Sequence, residues 1–321
     1  MTELKVAFVG AGNMTREHMT AFAAQSGVVL CGVTNRTRAK AEVLAEEFNI
    51  PVVASDVGAL YSETKADAVV MAVYEPAIRR TVSQILSHPW AALIEKPMGM
   101  NFEEAEAIAV EARARNARLF VGLNRRTIGA TRAALEDLKG SDNSRYILVQ
   151  DQQSLSAARQ IGHVEDVVQN WMFANSVHLV DYINAFGRGK IVAVNVIEPW
   201  LGEETERVVA QIVFDSGDRA LYEAIWNGPG PWSCTVTTQS RRWELRPLET
   251  AHYQNAGERS LNDVTIPAAD KDYKPGFLLQ AANFCAAVRG ENNHGAIDYE
   301  TALASMRLVH EIYRPTLEGV Q

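Results

Sequence analysis

From residue 4 to about 123 short apolar runs alternate with amphipathic segments. The runs LKVAFVG, VVLCGVTN, PVVA, DAVVMAV, AALIEK and RLFVGL are of strand length and almost continuously apolar, as strands buried on both faces are. Between them, RAKAEVLAEEF and FEEAEAIAVEARARN repeat apolar residues every three or four positions, the period of a helix with one buried face. Strand and helix in strict alternation predict a parallel sheet with crossover helices, doubly wound in the Rossmann manner.

After Leu123 the period changes. TRAALEDL reads as a helix, RYILVQDQQ as a strand and NSVHLVDYINAF as a helix. Five alternating strands follow, IVAVNVIEP, ERVVAQIVF, RALYEAIW, SCTVTTQ and RRWELRPL, separated by turn signals such as DSGD and NGPGPW. Strands in succession joined by short turns predict a mostly antiparallel sheet. The pattern therefore divides the chain into a doubly wound Rossmann domain, 1–123, and an α+β domain on a mostly antiparallel sheet, 124–321. Two helices near the end, around GFLLQAANFCAAVRG and ETALASMRLVHEIYRP, are expected to pack on one face or close the molecule.

Composition narrows the possibilities. With 47% hydrophobic and 22% charged residues over 321 positions, the chain has the make-up of an ordinary folded protein of two domains. A formal charge of -8 and the lack of any basic stripe argue against nucleic acid as a partner. No apolar run approaches the roughly 20 residues that span a bilayer, and the chain enters a strand at once, so no membrane partner and a cytoplasmic address are expected. The three cysteines are widely spaced in apolar surroundings, which favours burial over a disulfide, and no grouping of ligand residues has metal spacing.

The chemistry begins at VAFVGAGNMT. Gly10 permits a tight turn after the strand, Gly12 lets a backbone approach a pyrophosphate, and a helix starting near Asn13 and Met14 offers free N–H groups to the anion. Thr15 stands where a third small residue is usual, a departure that a slightly wider helix-strand contact absorbs. At the end of the next strand Asn35 carries no charge to repel a 2'-phosphate, and Arg36 and Arg38 follow it; these favour NADP(H), with NAD(H) the other candidate, while a solvated helix start is the plainer reading of the arginines.

In ALIEKPMG, Glu95 and Lys96 end a strand where open α/β sheets place their ligands, and Pro97 restricts the backbone of Lys96 to an extended form. A lysine in a partly dry cleft loses some preference for its charged form, which suits proton transfer at a hydroxyl carbon. A surface Glu-Lys pair is the plainer reading of EKP taken alone.

GAGNM, EKP, LNRR at the domain junction and HLVD together resemble the Gfo/Idh/MocA oxidoreductases, which include glucose-fructose oxidoreductase and inositol dehydrogenases. The resemblance covers essentially the whole chain. It implies a Rossmann domain joined to a sheet-rich α/β domain, NAD(P) as cofactor, and oxidation or reduction of a sugar-like alcohol. It implies that Lys96 is the acid/base, and often that its bond to proline is cis. The family's D-x-G-x-H-x-x-D signature matches ANSVHLVD at His178 and Asp181, whereas Ala174 and Ser176 replace its Asp and Gly.

On a regular helix Ala174 lies one turn before His178, so the carboxylate that would neighbour the imidazole is missing. His178 is either a donor to the substrate oxygen or a core histidine; Asp181 either binds a sugar hydroxyl or secures local structure. Asn175 is a candidate to orient the ring or touch substrate. In VYEPAIRR, the backbone at Val73 and Tyr74 ends the fourth strand beside the nicotinamide side, and Glu75 precedes Pro76; all three are candidate cofactor contacts, with Glu95 and Lys96. Arg80 takes the place of a family histidine and reads as a surface charge.

Asn124 and Arg125 are candidates for substrate contact, as is Trp171 in the polar segment 150–173, where Asp151, Gln152 and Asn170 are further candidates. The expected function is an NAD(P)-dependent dehydrogenase or reductase acting on a CH-OH group of a sugar, cyclitol or sugar derivative. Transient oxidation enabling glycoside cleavage or elimination, and a catalytically silent cofactor-binding sensor, are the alternatives. The resemblance also implies pairing through the C-terminal sheet, as a homodimer or homotetramer.

Overall fold

Residues 3–292 and 294–314 are described by a computed structural model. Their contacts divide the chain into two units: residues up to Thr127 with Ala268–Leu303, and Ile128–Pro267 with the chain from Ala304 onward.

The first unit is built by β1 (Leu4–Val9), α1 (Asn13–Ala23), β2 (Val28–Thr34), α2 (Arg38–Glu47), β3 (Val53–Ala54), α3 (Val57–Thr64), β4 (Ala68–Met71), α4 (Ile78–Leu86), β5 (Ala91–Glu95), α5 (Phe102–Ala114) and β6 (Leu119–Gly122). All six strands pair in parallel in the order β3-β2-β1-β4-β5-β6, so the chain reverses direction across the sheet between β1 and β4. At such a switch point, outside the carboxyl ends of the strands, open α/β sheets bind their dinucleotides. β4, β5 and β6 are buried at every position, which is why they read as continuous apolar runs.

The second unit contains α6 (Gly129–Leu138), β7 (Tyr146–Gln153), α7 (Leu155–Gln160), α8 (Glu165–Gln169), α9 (Val177–Phe186), β8 (Ile191–Glu198), β9 (Arg207–Phe214), β10 (Arg219–Trp226), β11 (Ser233–Thr237), β12 (Arg241–Leu245), β13 (His252–Asn255) and β14 (Asn262–Asp263). Its eight strands run in the order β14-β13-β12-β11-β7-β10-β9-β8. Only β7 with β10 is parallel; the other neighbours are antiparallel. Helix α9 packs on β7 and β11. The architecture is thus the expected doubly wound parallel sheet joined to an α+β region on a mostly antiparallel sheet.

The chain ends with α10 (Ala269–Asp272), α11 (Phe277–Val288) and α12 (Tyr299–Tyr313). Helix α11 returns to the parallel sheet and lies on α1, with Phe22 edge-on to both Phe8 and Phe284. The 297–298 stretch covers the free edge of β6: Val121 N–H donates to Ile297 O at 2.9 Å, and Phe120 bridges to Asp298. In the second unit Asp218 is fully buried and accepts from the Arg145 backbone N–H and from Arg188 at 2.7 and 3.0 Å, locking the β9–β10 turn to the end of α9. Among the described residues no helix is long and apolar enough to cross a membrane. Cys31, Cys234 and Cys285 are buried and unbonded, and burial pushes the Cys31 and Cys285 thiols up to about 11.

Candidate functional site

The glycine turn is formed as its residue types require. Gly10 has φ +110°, and a Cβ there would stand 2.1 Å from Ala72 O, so the turn excludes other side chains. A Cβ on Gly12 would meet nothing within 4 Å; it would project into open space at the helix start. Among the described residues no side chain caps α1 there, so the N–H groups of its first turn, from Asn13 and Met14 on, are not taken up by a side-chain cap. An anionic pyrophosphate fits that cradle. Thr15 is fully buried and its hydroxyl donates to Ala72 O at 3.4 Å, so the residue that departs from the usual small one is satisfied by the loop after β4.

Asn35 follows β2 half-buried, its amide donating to Thr37 O at 2.9 Å. Arg36 is exposed with no ion pair among the described residues, whereas Arg38 is committed to Glu42 and Val53 O. The two arginines are therefore not equivalent, and Arg36 is the one available to a phosphate. Beyond β4, Val73 is half-buried, Tyr74 is exposed, and Glu75 opens a short 3-10 turn leading into α4, on which Arg80 is exposed.

Lys96 follows the last residue of β5 and is joined to Pro97 by a cis peptide bond. Its side chain is half-buried. Burial lowers its pKa from the ordinary lysine range; Glu95 and Glu75 oppose that shift, and Arg125 and Lys274 reinforce it. Four charged residues of this unit thus converge on one amine. Glu95 accepts the Lys96 backbone N–H through Oε2 at 3.1 Å, and its Oε1 lies 2.7 Å from His18 Nε2. In the 3-10 turn after β6, Asn124 donates to Pro275 O at 3.0 Å, which ties it to the returning segment, and Arg125 is half-buried beside it.

In the second unit the candidates meet on β7. Its burial alternates, so Asp151 and Gln153 point inward and Gln152 outward. Gln153 Oε1 accepts from Trp171 Nε1 at 2.9 Å and from Asn175 Nδ2 at 2.8 Å, while its amide donates to Asp151 Oδ1 at 2.6 Å. Asp151 Oδ2 accepts from Tyr222, whose hydroxyl also meets that of Tyr313 at 2.8 Å. Gln152 instead bonds Gly228 O, and Asn170 is taken up by Asp166 O and Arg314.

Residues Met172–Ser176 form a π-helical turn, closed by the Val177 N–H on Met172 O, so Ala174 and His178 are not related by a regular α-helical turn. His178 is buried on α9 with its ring 6.4 Å from Trp232. Asp181 is buried and accepts from Ser305 Oγ at 2.6 Å, a contact within the second unit.

Two contacts around the candidate site residues are absent from the sequence expectations. Gln153 was discoverable, since an inward Asp151 on a strand requires an inward residue two positions on. The His18–Glu95 contact was not: it joins residues 77 apart through the sheet order, and His18 reads from its helix as packed or solvated.

Residues 4–123 match the Gfo/Idh/MocA model, described as an oxidoreductase family with an NAD-binding Rossmann fold. No curated protein matches the chain by sequence. Among solved structures it is similar to a dehydrogenase from Chromobacterium violaceum, with 20% identity and a TM-score of 0.81 over 97% of this chain and 94% of that one. UDP-N-acetylglucosamine 3-dehydrogenase GnnA from Acidithiobacillus ferrooxidans is 18% identical with a TM-score of 0.77, covering 97% of both chains. A levoglucosan dehydrogenase in complex with NADH and levoglucosan is 15% identical with a TM-score of 0.78, over 97% of this chain and 96% of the other. At these identities the likeness is one of fold.

Proposed function

We propose, for a chain whose residues 4–123 match the model of an oxidoreductase family with an NAD-binding Rossmann fold, that it moves hydride between a nicotinamide and a hydroxyl or keto carbon of a sugar, cyclitol or sugar derivative. The observation that carries the proposal is Lys96, a half-buried amine with a lowered proton affinity at the carboxyl end of β5, in the same unit as an uncapped glycine turn. The nicotinamide, when bound, supplies the hydride acceptor or donor. Lys96 takes the hydroxyl proton as the carbon loses hydride, and returns it in the reverse direction. The sugars named for two of the relatives of similar fold support the substrate class.

Gly10, Gly12, Asn13 and Met14 are assigned to the pyrophosphate, Asn35 and Arg36 to the adenosine ribose with NADP(H) preferred, and Val73, Tyr74, Glu75 and Glu95 to the nicotinamide half. His178 is assigned a hydrogen bond to the substrate oxygen, and Asn124, Arg125, Trp171, Asn175 and Asp181 are assigned to the substrate's remaining polar groups. A homodimer or homotetramer in the cytoplasm is the proposed setting; exposed Val192 and Ile197 on β8 are apolar surface that pairing would cover.

A panel of sugars, cyclitols and keto-sugars with NADP+ or NADPH, followed by nicotinamide absorbance, tests this. Net turnover supports the proposal. Release of a free sugar without net turnover would instead indicate transient oxidation, and binding without either would indicate a sensor.

A further inference from the structure

His18 is almost completely buried, on the helix whose first turn lines the glycine cradle. Its ring lies 4.7 Å from that of Phe277 on α11 and 6.4 Å from Phe22. In such apolar company a phenylalanine or leucine would pack as well; what a hydrocarbon could not do is serve Glu95. That carboxylate is itself buried at the end of β5. Across the strand pair is Gly122, where a Cβ would come to 3.4 Å from the same oxygen, Glu95 Oε1. A buried carboxylate is costly unless it is hydrogen-bonded, and the contact from His18 Nε2 at 2.7 Å meets one oxygen while the Lys96 N–H meets the other.

We propose that His18 is a positioning residue for the acid/base: by holding Glu95 Oε1 it fixes the carboxylate in one orientation, and with it the backbone and aim of Lys96. The inference rests on the assignment of Lys96 above. It ties two parts of the site that the sequence separates, because α1 presents the dinucleotide cradle at its N-terminus and holds the acid/base strand end with its sixth residue. Without His18 the carboxylate is free to turn toward the Lys96 ammonium, where Glu75, Arg125 and Lys274 are the other charged groups already acting on it. The amine then loses its fixed direction while the cradle at Gly10 and Gly12 is unchanged.

The test uses the full-length protein with NADP(H) and the substrate found by the panel, and compares K96A, H18L, H18Q and E95Q. H18L is expected to lower kcat by up to about 100-fold, the cost of a small misplacement of a reacting group, with little change in KM or in cofactor affinity. H18Q, which keeps an N–H at the same reach, is expected to restore most of the rate. Equal kcat for H18L and the unaltered protein overturns the inference, as does a parallel loss of cofactor affinity and kcat in both H18L and H18Q.

Should H18L fail to fold, the imidazole nitrogen resonances of the unaltered protein and E95Q decide: a shift confined to one buried histidine supports the contact, and unchanged spectra overturn it. K96A separates the two levels. If K96A turns over normally the functional assignment fails, whereas an inactive K96A beside a fully active H18L removes only the role of His18.

Discussion

Gln153 donates its amide N–H to Asp151 Oδ1 at 2.6 Å along one face of β7, and this leaves the Gln153 carbonyl as the shared acceptor for Trp171 and Asn175. The amide can be oriented in only one way here, because Asp151 needs a donor and the indole and carboxamide need an acceptor. Behind it, the hydroxyls of Tyr222 and Tyr313 complete a buried row. Two side chains assigned to the substrate are therefore set by one residue that need not touch it.

Replacing Gln153 with Leu leaves Asp151, Trp171 and Asn175 short of a partner at once. The expected result is a loss of about 1–3 kcal/mol in denaturant unfolding and a raised KM for the sugar-like substrate with unchanged cofactor affinity. Q153E is expected to be no better, since a second carboxylate would face Asp151.

Lys96 loses its proton more readily than an ordinary lysine because burial disfavours the ammonium, and Glu75 works against that shift. Its neutral form, the base for alcohol oxidation, is populated as pH rises through this lowered pKa. E75Q removes a charge that favours the ammonium, so the rising limb of kcat against pH is expected to move to lower pH. A move to higher pH would show that Glu75 does not act on Lys96 in this way.

Arg36 and Asn35 are expected to decide the cofactor. R36A should weaken NADPH by about tenfold relative to NADH, the 1.4 kcal/mol within reach of one charge-assisted hydrogen bond, and N35D should push in the same direction by repelling the 2'-phosphate. Fluorescence titration of both nicotinamides against each variant measures the ratio.

Burial alone would raise the Asp218 carboxyl, but hydrogen bonds from Arg188 and from the backbone N–H groups of Arg145 and Arg188 hold it below the usual range. A carboxylate with a depressed folded pKa contributes stability that is full above its unfolded pKa and is lost as pH falls through the folded value. D218N is expected to cost about 3 kcal/mol at neutral pH, as breaking a buried pair does, and the gap from the unaltered protein should close as the pH falls below 4. Urea unfolding across that interval reads both.

The parallel sheet was legible because strands buried on both faces, such as β4 and β5, leave continuous apolar runs between Gly, Pro and Asn. β13 was not, because HYQN is half-buried at every position and carries no apolar signal. The π-helical turn at Met172–Ser176 could not be read from residue types, since it depends on which carbonyl the Val177 N–H reaches. The placement of Phe277–Val288 on α1 is likewise a long-range packing fact. Of the candidate site, Gly10 and Lys96 stand out in the sequence because each directly follows a strand, and Gly12 because it opens the next helix. His18 was hidden because helix periodicity reports burial and says nothing of which polar partner satisfies it; the inward direction of Gln153 followed from the strand period, but its role as shared acceptor for Trp171 and Asn175 did not.

The most direct measurement is nicotinamide absorbance during turnover of the panel by the unaltered protein and by K96A, with cofactor binding measured in parallel. Stoichiometric reduction or oxidation by the unaltered protein on a sugar, cyclitol or keto-sugar, and a kcat for K96A at least about 100-fold lower with NADP(H) still bound, is the expected result. Normal turnover by K96A, or cofactor bound tightly by both proteins with no hydride moved on any member of the panel, would contradict it.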